Sequence, residues 1–187
     1  MQQQQREFQR RLAAEISASE ARHQALHDPL TGLPNRRALM EALATSRREY
    51  RSGARSDALL LLDLNGFKRI NDQYGHPAGD RILETIAARM QSIVKNGNVV
   101  GRLGGDEFAV HCRSIDDRDD VRQMGERLIA RIEAPIDIAG IRHCVGAGAG
   151  IALHPQDGDT EQELLRWADV ALYRAKAEKR SAVHFYV

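Results

Sequence analysis

Val99-Val100-Gly101-Arg102-Leu103-Gly104-Gly105-Asp106-Glu107-Phe108-Ala109-Val110-His111-Cys112 sets two short apolar runs, Val99 to Arg102 and Phe108 to Cys112, on either side of a glycine pair. Short runs of this kind separated by glycines, which accept positive φ at little cost, form β-hairpins. The tip of this hairpin carries two adjacent acids, Asp106 and Glu107. Upstream, Ala58-Leu59-Leu60-Leu61-Leu62 is continuously apolar and ends in Asp63. That is the pattern of a central strand buried on both faces, with a carboxylate emerging at its C-terminal end.

Working outward, Ile82, Leu83, Ile86, Met90 and Ile93 recur at helical spacing and predict a helix from about Gly79 to Lys95. The polar stretch Asn65-Gly66-Phe67-Lys68 and the turn-rich Tyr74-Gly75-His76-Pro77 before it read as loops. A second helix is expected from about Asp117 to Glu133, with acids at its start and Pro135 beyond its end. Glycine-rich Val145 to Leu153 reads as a strand that a neighbouring backbone approaches closely. Glu161 to Glu178 places Leu164, Leu165, Ala168, Leu172 and Ala175 on one helical face, and Ala182 to Val187 supplies a closing strand. The order after Tyr50 is β-α-β-β-α-β-α-β. It predicts an α+β fold with helices packed on an antiparallel or mixed sheet, ferredoxin-like or polymerase-palm-like.

Toward the N-terminus, Arg36 to Tyr50 is expected to be helical, and Asp28-Pro29-Leu30-Thr31-Gly32-Leu33-Pro34-Asn35 is a break. Residues 2–27 lack Gly and Pro, and Leu12, Ile16, Ser19, His23 and Leu26 follow a spacing of four and three. This divides the chain into a helical stalk or linker, 1–27, and a domain, 28–187. A seam for a partner helix and a solvated helix both fit residues 2–27, because Ser19 and His23 are poor seam residues.

The chain has 187 residues, 42% apolar and 28% charged, with a net charge of +1. This excludes a disordered chain and a broad polyanion-binding surface, so no nucleic-acid partner is expected. The two cysteines, Cys112 and Cys144, lack metal-site or disulfide-scaffold spacing and fit a reducing cytoplasm. The apolar run Ala58 to Leu62 is too short for a bilayer and the glutamine-rich start has no signal-peptide core, so no membrane contact is expected from this segment. A larger parent protein could be anchored elsewhere. His23, His27, His111, His143, His154 and His184 show no metal-ligand spacing, and Trp167 reads as a packing residue.

If the strand ending at Asp63 neighbours the hairpin, the carboxylates of Asp63 and Asp106 converge at one end of the sheet. Hard oxygen ligands of this kind suit Mg2+, which keeps several waters and shares substrate phosphates. Two such ions could activate a sugar hydroxyl and offset charge on departing pyrophosphate. Taken singly, each residue has a plain reading: Asp63 as a strand-end cap, the glycines as turn formers and Asp106-Glu107 as a solvated turn. Asn71 would then be a helix cap and Asp80 a first-turn acid.

Their context is more specific. Arg102-Leu103-Gly104-Gly105-Asp106-Glu107-Phe108 resembles the signature of the GGDEF family of diguanylate cyclases, whose fold is of the nucleotidyl cyclase type. From Asp28 to Arg180 further stretches resemble that family in the same order. They are Asp28-Pro29-Leu30-Thr31-Gly32-Leu33-Pro34-Asn35-Arg36-Arg37, then Asp63-Leu64-Asn65-Gly66-Phe67-Lys68-Arg69-Ile70-Asn71-Asp72-Gln73-Tyr74-Gly75-His76, then Gly79-Asp80, and after the hairpin Ala168-Asp169-Val170-Ala171-Leu172-Tyr173-Arg174-Ala175-Lys176.

The resemblance implies a bacterial signalling nucleotidyltransferase that joins two GTP molecules into cyclic di-GMP. In such an enzyme Asp63, the Leu64 backbone carbonyl and Asp106 would ligate Mg2+, with Mn2+ as a substitute. Asp63, Asp106 and Glu107 would be the catalytic acids, none singled out as the base. Asn71 and Asp80 would read guanine, since a carboxylate accepts from N1–H and the exocyclic amine. Gly66, Phe67, Lys68 and Gly105 would lie against the nucleotide, and Lys176 and Arg180, four apart on one helical face, would meet the β and γ phosphates. His76 matches a family position with a structural role. The resemblance also implies catalysis as a homodimer, and a parent protein with an attached sensory or phosphodiesterase domain.

Three departures stand out. Lys95-Asn96-Gly97-Asn98 replaces the Arg-x-x-Asp that opens the family's product-inhibition site, so strong inhibition there is not expected. Gly148-Ala149-Gly150 replaces the usual Ser-x-Gly, and Lys179-Arg180-Ser181 replaces Gly-Arg-Asn. A GTP-binding regulator of a phosphodiesterase partner is the alternative function. A module that only dimerises or receives product is weakened by the missing Arg-x-x-Asp.

Overall fold

The computed structural model describes residues 2–50, 56–95, 97–178 and 180–187. Expectations that involve Met1, Asn96 and Lys179 lie outside them. In chain order the elements are α1 (Gln2–Leu26), α2 (Arg36–Tyr50), β1 (Ser56–Asn65), α3 (Phe67–Tyr74), α4 (His76–Ile93), β2 (Val99–Gly104), β3 (Glu107–Ile115), α5 (Arg118–Glu133), β4 (Ile136–Ile138), β5 (Ile141–His143), β6 (Gly146–His154), α6 (Glu161–Ala177) and β7 (Ala182–Phe185).

Five strands form one sheet in the order β2-β3-β1-β6-β7. β1 runs antiparallel to both β3 and β6, β2 is antiparallel to β3, and β7 lies parallel to β6. The first four strands reproduce a ferredoxin-like sheet, and β7 extends it. β1 is central because every residue from Asp57 to Leu64 is buried. Successive side chains of a strand point to opposite faces. Leu60, Leu62 and Leu64 therefore enter a core with Ile82, Ile86 and Met90 of α4 and Leu128 and Ile132 of α5. Leu59 and Leu61 pack on the other side with Leu39 and Leu43 of α2 and Leu164, Ala168 and Leu172 of α6. Asp63 follows the same alternation and belongs to the α2–α6 face.

Local chemistry sets the helix starts. Asp117 caps α5 by accepting the Asp119 N–H, and Thr160 and Glu163 form a reciprocal capping box at the start of α6. Three elements differ from the sequence reading. The stretch read as the loop Asn65–Lys68 already contains the start of α3, which follows Gly66 in left-handed conformation and buries only Phe67 and Ile70. One short helix with two buried positions carries too little periodicity to be seen. α4 begins at His76 rather than Gly79, with Pro77 in its first turn, where a missing N–H costs nothing. The β4–β5 hairpin was not expected; its strands are three residues each, and it turns through Ala139 and Gly140 at positive φ.

The glycine-rich strand behaves as its composition suggests. A Cβ at position 150 would lie 2.1 Å from Ala168 O and 2.2 Å from Leu172 N, so the backbone of α6 rests directly on β6. At Gly148 the nearest atom would be Leu172 Cδ1 at 3.3 Å, with Lys176 Cγ at 3.7 Å. At the opposite end of the sheet, buried Asp57 receives the Ser46 hydroxyl and the Ser114 N–H and pairs with His111 Nε2 at 3.0 Å. Burial pushes the Asp57 carboxyl up, but these hydrogen bonds outweigh it and hold it below its ordinary value. Both cysteines are free, and burial raises the Cys112 thiol to about 12. No helix among the described residues is long and apolar enough to cross a membrane.

The Gly150 contact is backbone on backbone and cannot be relieved by a rotamer change. Gly150→Ala is expected to lower unfolding free energy by about 3 kcal/mol, measured by urea denaturation, whereas Gly148→Ala costs less than half as much.

Candidate active site

The β1–β3 register places Asp63 directly opposite Glu107, and the Leu64 N–H donates to Asp106 O at 3.3 Å. The strand end and the hairpin tip, 43 positions apart at Asp63 and Asp106, are thus adjacent as the sequence suggested. The tip is a tight connection: Gly104 has φ 141° and Gly105 φ 53°, and Gly104 pairs with Glu107. Arg102 secures it from behind. Its Nε and Nη2 donate to Gly105 O at 3.0 and 2.8 Å, while Nη1 donates to Asp28 Oδ1 at 2.9 Å. Asp28 also accepts the N–H and hydroxyl of Thr31. Burial raises the Asp28 carboxyl, but the bonds from Thr31 and Arg102 outweigh it and hold it below the usual range. Sequence reading assigned no role to this clamp. Each charge lies within a quoted motif, but nothing local links positions 28 and 102.

Asp63 is the most constrained acid of the group. Its side chain is 13% exposed, and its Oδ2 accepts from Lys176 Nζ at 2.8 Å. Burial raises its pKa, Lys176 opposes this, and the negative charges of Asp106 and Asp169 add to the rise, so the net direction is upward. Glu107 faces Arg36 at 4.0 Å. Among the described residues no three His, Cys, Asp or Glu side chains are grouped closely enough to hold a metal ion. The donor set nevertheless suits Mg2+, which is held by one or two carboxylates while phosphates and water complete its shell. Here the donors that would hold it are Asp63 and Asp106 with the Leu64 carbonyl, an oxygen-only set of the kind that suits Mg2+ or Mn2+ better than softer metals.

On the other face of the sheet, α3 and α4 bring Asn71 against the turn that carries Asp80. Asn71 Oδ1 is buried without a hydrogen-bond partner, and a Cβ on Gly79 would lie 1.9 Å from it. A buried polar atom with no partner costs free energy, and such an atom is a natural place for a ligand donor. Asp80 is exposed beside it. Gly66 sits in left-handed conformation at the N-cap of α3, which has no side-chain cap to meet the first amides of that helix, at Phe67 and Lys68. The Lys68 side chain is exposed there.

Arg180 lies elsewhere. α6 ends at Ala177, so Lys176 and Arg180 do not share a helical face as expected. Ser181 accepts the Ala147 N–H and bonds Glu133, which fixes the segment on β6 and α5. Arg180 then pairs with Glu178 at 2.9 Å and lines a groove between α5 and β7. At the position of the inhibitory motif, Asn98 Oδ1 accepts the Arg113 N–H instead of facing a ligand.

The family model described as "Diguanylate cyclase, GGDEF domain" matches residues 25–182. The chain belongs to the GGDEF family. It is 40% identical over 161 residues to the diguanylate cyclase TpbB of Pseudomonas aeruginosa, covering 86% of this chain and 37% of that protein. It is also 36% identical over 165 residues to the cyclic di-GMP phosphodiesterase NbdA of the same organism, covering 88% of this chain and 21% of that protein. The crystal structure of the TpbB GGDEF domain superposes with a TM-score of 0.81 at 36% identity, covering 84% of this chain and 98% of that one. The sheet and the helices from α2 onward are therefore those of a GGDEF domain. The chain spans between 21% and 37% of the length of curated relatives it matches.

Two outcomes test this geometry. A raised carboxyl contributes stability below its unfolded value of 3.8, and that contribution is lost as pH rises through the folded value. Asp63→Asn is therefore expected to raise the melting temperature at pH 7, by an increment that vanishes as pH falls below 4. Gly79→Ala drives a methyl group into Asn71 and is expected to weaken GTP binding about tenfold in equilibrium dialysis, with the fold retained by circular dichroism.

Proposed function

We propose that this chain is a diguanylate cyclase, in which two copies each hold one GTP and each 3′-hydroxyl attacks the partner's α-phosphate, releasing pyrophosphate and closing cyclic di-GMP. The observation that carries this reading is the meeting of Asp63, Asp106 and Glu107 at one end of the sheet with Lys176 beside them. TpbB, named a diguanylate cyclase, supports it.

In this reading Asn71 and Asp80 orient the base: Asp80 accepts from guanine N1–H and its amine, and Asn71 supplies the unpaired Oδ1. Adenine presents an acceptor at N1 and no amine at C2, so it is discriminated against. The Phe67 and Lys68 amides, with the Lys68 ammonium, receive the phosphates at the positive end of α3. Asp63, Asp106 and the Leu64 carbonyl would hold Mg2+, which when bound offsets charge on the phosphates and lowers the pKa of the attacking hydroxyl. Lys176 leaves Asp63 for a phosphate oxygen as that carboxylate takes up its ligand role. Glu107 stands beside Asp106 as the further acid for proton removal. Arg180 reaches a phosphate only after parting from Glu178, an exposed pair that is weak enough to exchange.

The homodimer supplies the second GTP, and α1, with exposed Leu12 and Ile16, is the element that aligns the pair. The domain acts within a longer parent protein that carries a sensory or phosphodiesterase domain, on the cytoplasmic side where GTP is available. Asn98 and Lys95 give product little purchase at the usual inhibitory position. A regulatory domain that binds GTP without turnover is the competing reading. It draws on NbdA, named a phosphodiesterase, and on the engagement of Arg180 by Glu178.

Incubation with GTP and Mg2+ at high protein concentration is expected to yield cyclic di-GMP, identified by chromatography. Asp106→Ala is expected to reduce it about a hundredfold or more. GTP binding without product in the wild-type chain would favour the regulatory reading.

A further inference from the structure

Between the N-terminal turn of α2 and the first half of α6 lies a cavity of about 240 Å³ that reaches Glu107 from the side of the sheet away from Asn71. It is on the sheet face that carries Leu59, Leu61 and Asp63, across the sheet from α3 and α4, which carry Asn71 and Asp80. Its volume falls below the roughly 300–1,000 Å³ of pockets that enclose drug-sized molecules, so it suits one planar ring system rather than a whole dinucleotide. Leu103, Phe108, Leu165 and Leu172 give it apolar walls.

The rim carries both signs of charge: Arg36 and Arg166 supply guanidinium forks, and Glu107 and Asp169 supply carboxylates. These groups are only loosely engaged. Arg36 and Glu107 are 4.0 Å apart, beyond hydrogen-bond distance, and Arg166 rests over the Trp167 ring at 4.7 Å. An anion would meet Glu107 and Asp169, a cation would meet the two arginines, and a purely apolar ligand would strand all four. A flat ligand with an acceptor edge and a donor edge satisfies both sets. Guanine is such a ligand: O6 and N7 match a guanidinium fork, and N1–H and the 2-amino group match a carboxylate. Adenine reverses the polarity at the 6-position and lacks the amine.

We propose that this cavity binds the guanine base of a nucleotide at a site separate from Asn71 and Asp80, and that its occupant engages Glu107 and slows turnover. The slowing rests on the cyclase reading; the binding does not. Occupancy by the product would return feedback to a domain whose usual inhibitory position carries Lys95 and Asn98.

The chain contains one tryptophan, Trp167, stacked on Tyr186 at 4.5 Å and covered by Arg166, so its emission reports a ligand arriving at the rim. The wild-type chain and the Asn71→Ala/Asp80→Ala variant are titrated with GMP, AMP and cyclic di-GMP without Mg2+. GMP is expected to change Trp167 emission in both proteins, with AMP about tenfold weaker. Leu165→Phe, which places a ring in the cavity, is expected to abolish the change while circular dichroism stays unaltered. Asp169→Asn, at an exposed position, is expected to bring GMP and AMP within about threefold of each other. Tighter binding of cyclic di-GMP than of GMP identifies the product as the ligand, and equal binding per base identifies any guanine nucleotide. No response in the Asn71→Ala/Asp80→Ala variant, or a response that survives Leu165→Phe, overturns the proposal. Absence of cyclic di-GMP synthesis by the wild-type chain would sink the cyclase reading alone and leave this binding result standing.

Discussion

The antiparallel pairing of β1 with β3 is the constraint on which the site depends. It sets Asp63 opposite Glu107 and lets the Leu64 amide reach the Asp106 carbonyl, so acids from distant parts of the chain meet without a dedicated loop. Shifting the pairing by one residue would send Asp63 to the other face, into the α4–α5 core, where an ionised carboxylate has no partner. The leucines of β1 resist such a slip because both faces are already filled. Packing of the hydrophobic strand therefore protects the placement of its one functional carboxylate.

That placement carries an energetic cost at rest. Asp63 is buried next to other acids, and Lys176 offsets only part of the resulting rise in its pKa. Asn71 holds an unpaired oxygen against Gly79 on the far side of the sheet. Both are local strains on stability that a bound, charged, hydrogen-bonding ligand would relieve, as expected where a fold keeps groups ready for chemistry rather than for its own cohesion.

Much of this was legible in the sequence. β1 announced itself by continuous apolarity, α4 and α6 by periodicity, α5 by its acidic start and the proline beyond its end, and the hairpin by its glycines. Asp63 and Asp106 could be paired once their strands were taken as neighbours. What escaped reading had physical reasons. α3 is too short to show a period, and the three-residue strands β4 and β5 are below the length at which alternation means anything. The Asp28–Arg102 clamp links two motifs through space alone. Arg180 was misplaced in relation to Lys176 because the helix was carried past Ala177; the anchor that redirects the chain is the Ser181 hydroxyl, bonded to Ala147 of β6 and Glu133 of α5.

The bare contact between β6 and α6 at Gly150 has a mechanical meaning as well. With the carbonyl of Ala168 and the amide of Leu172 seated directly on the strand at Gly150, no side chain separates the two backbones at that crossing. The helix cannot roll or slide on the sheet by swapping rotamers, as helices separated by interdigitating residues do. Lys176, two turns further along that helix from Ala168, is consequently geared to the sheet. Any input that displaces α6 must carry the central strands and their acids along with it.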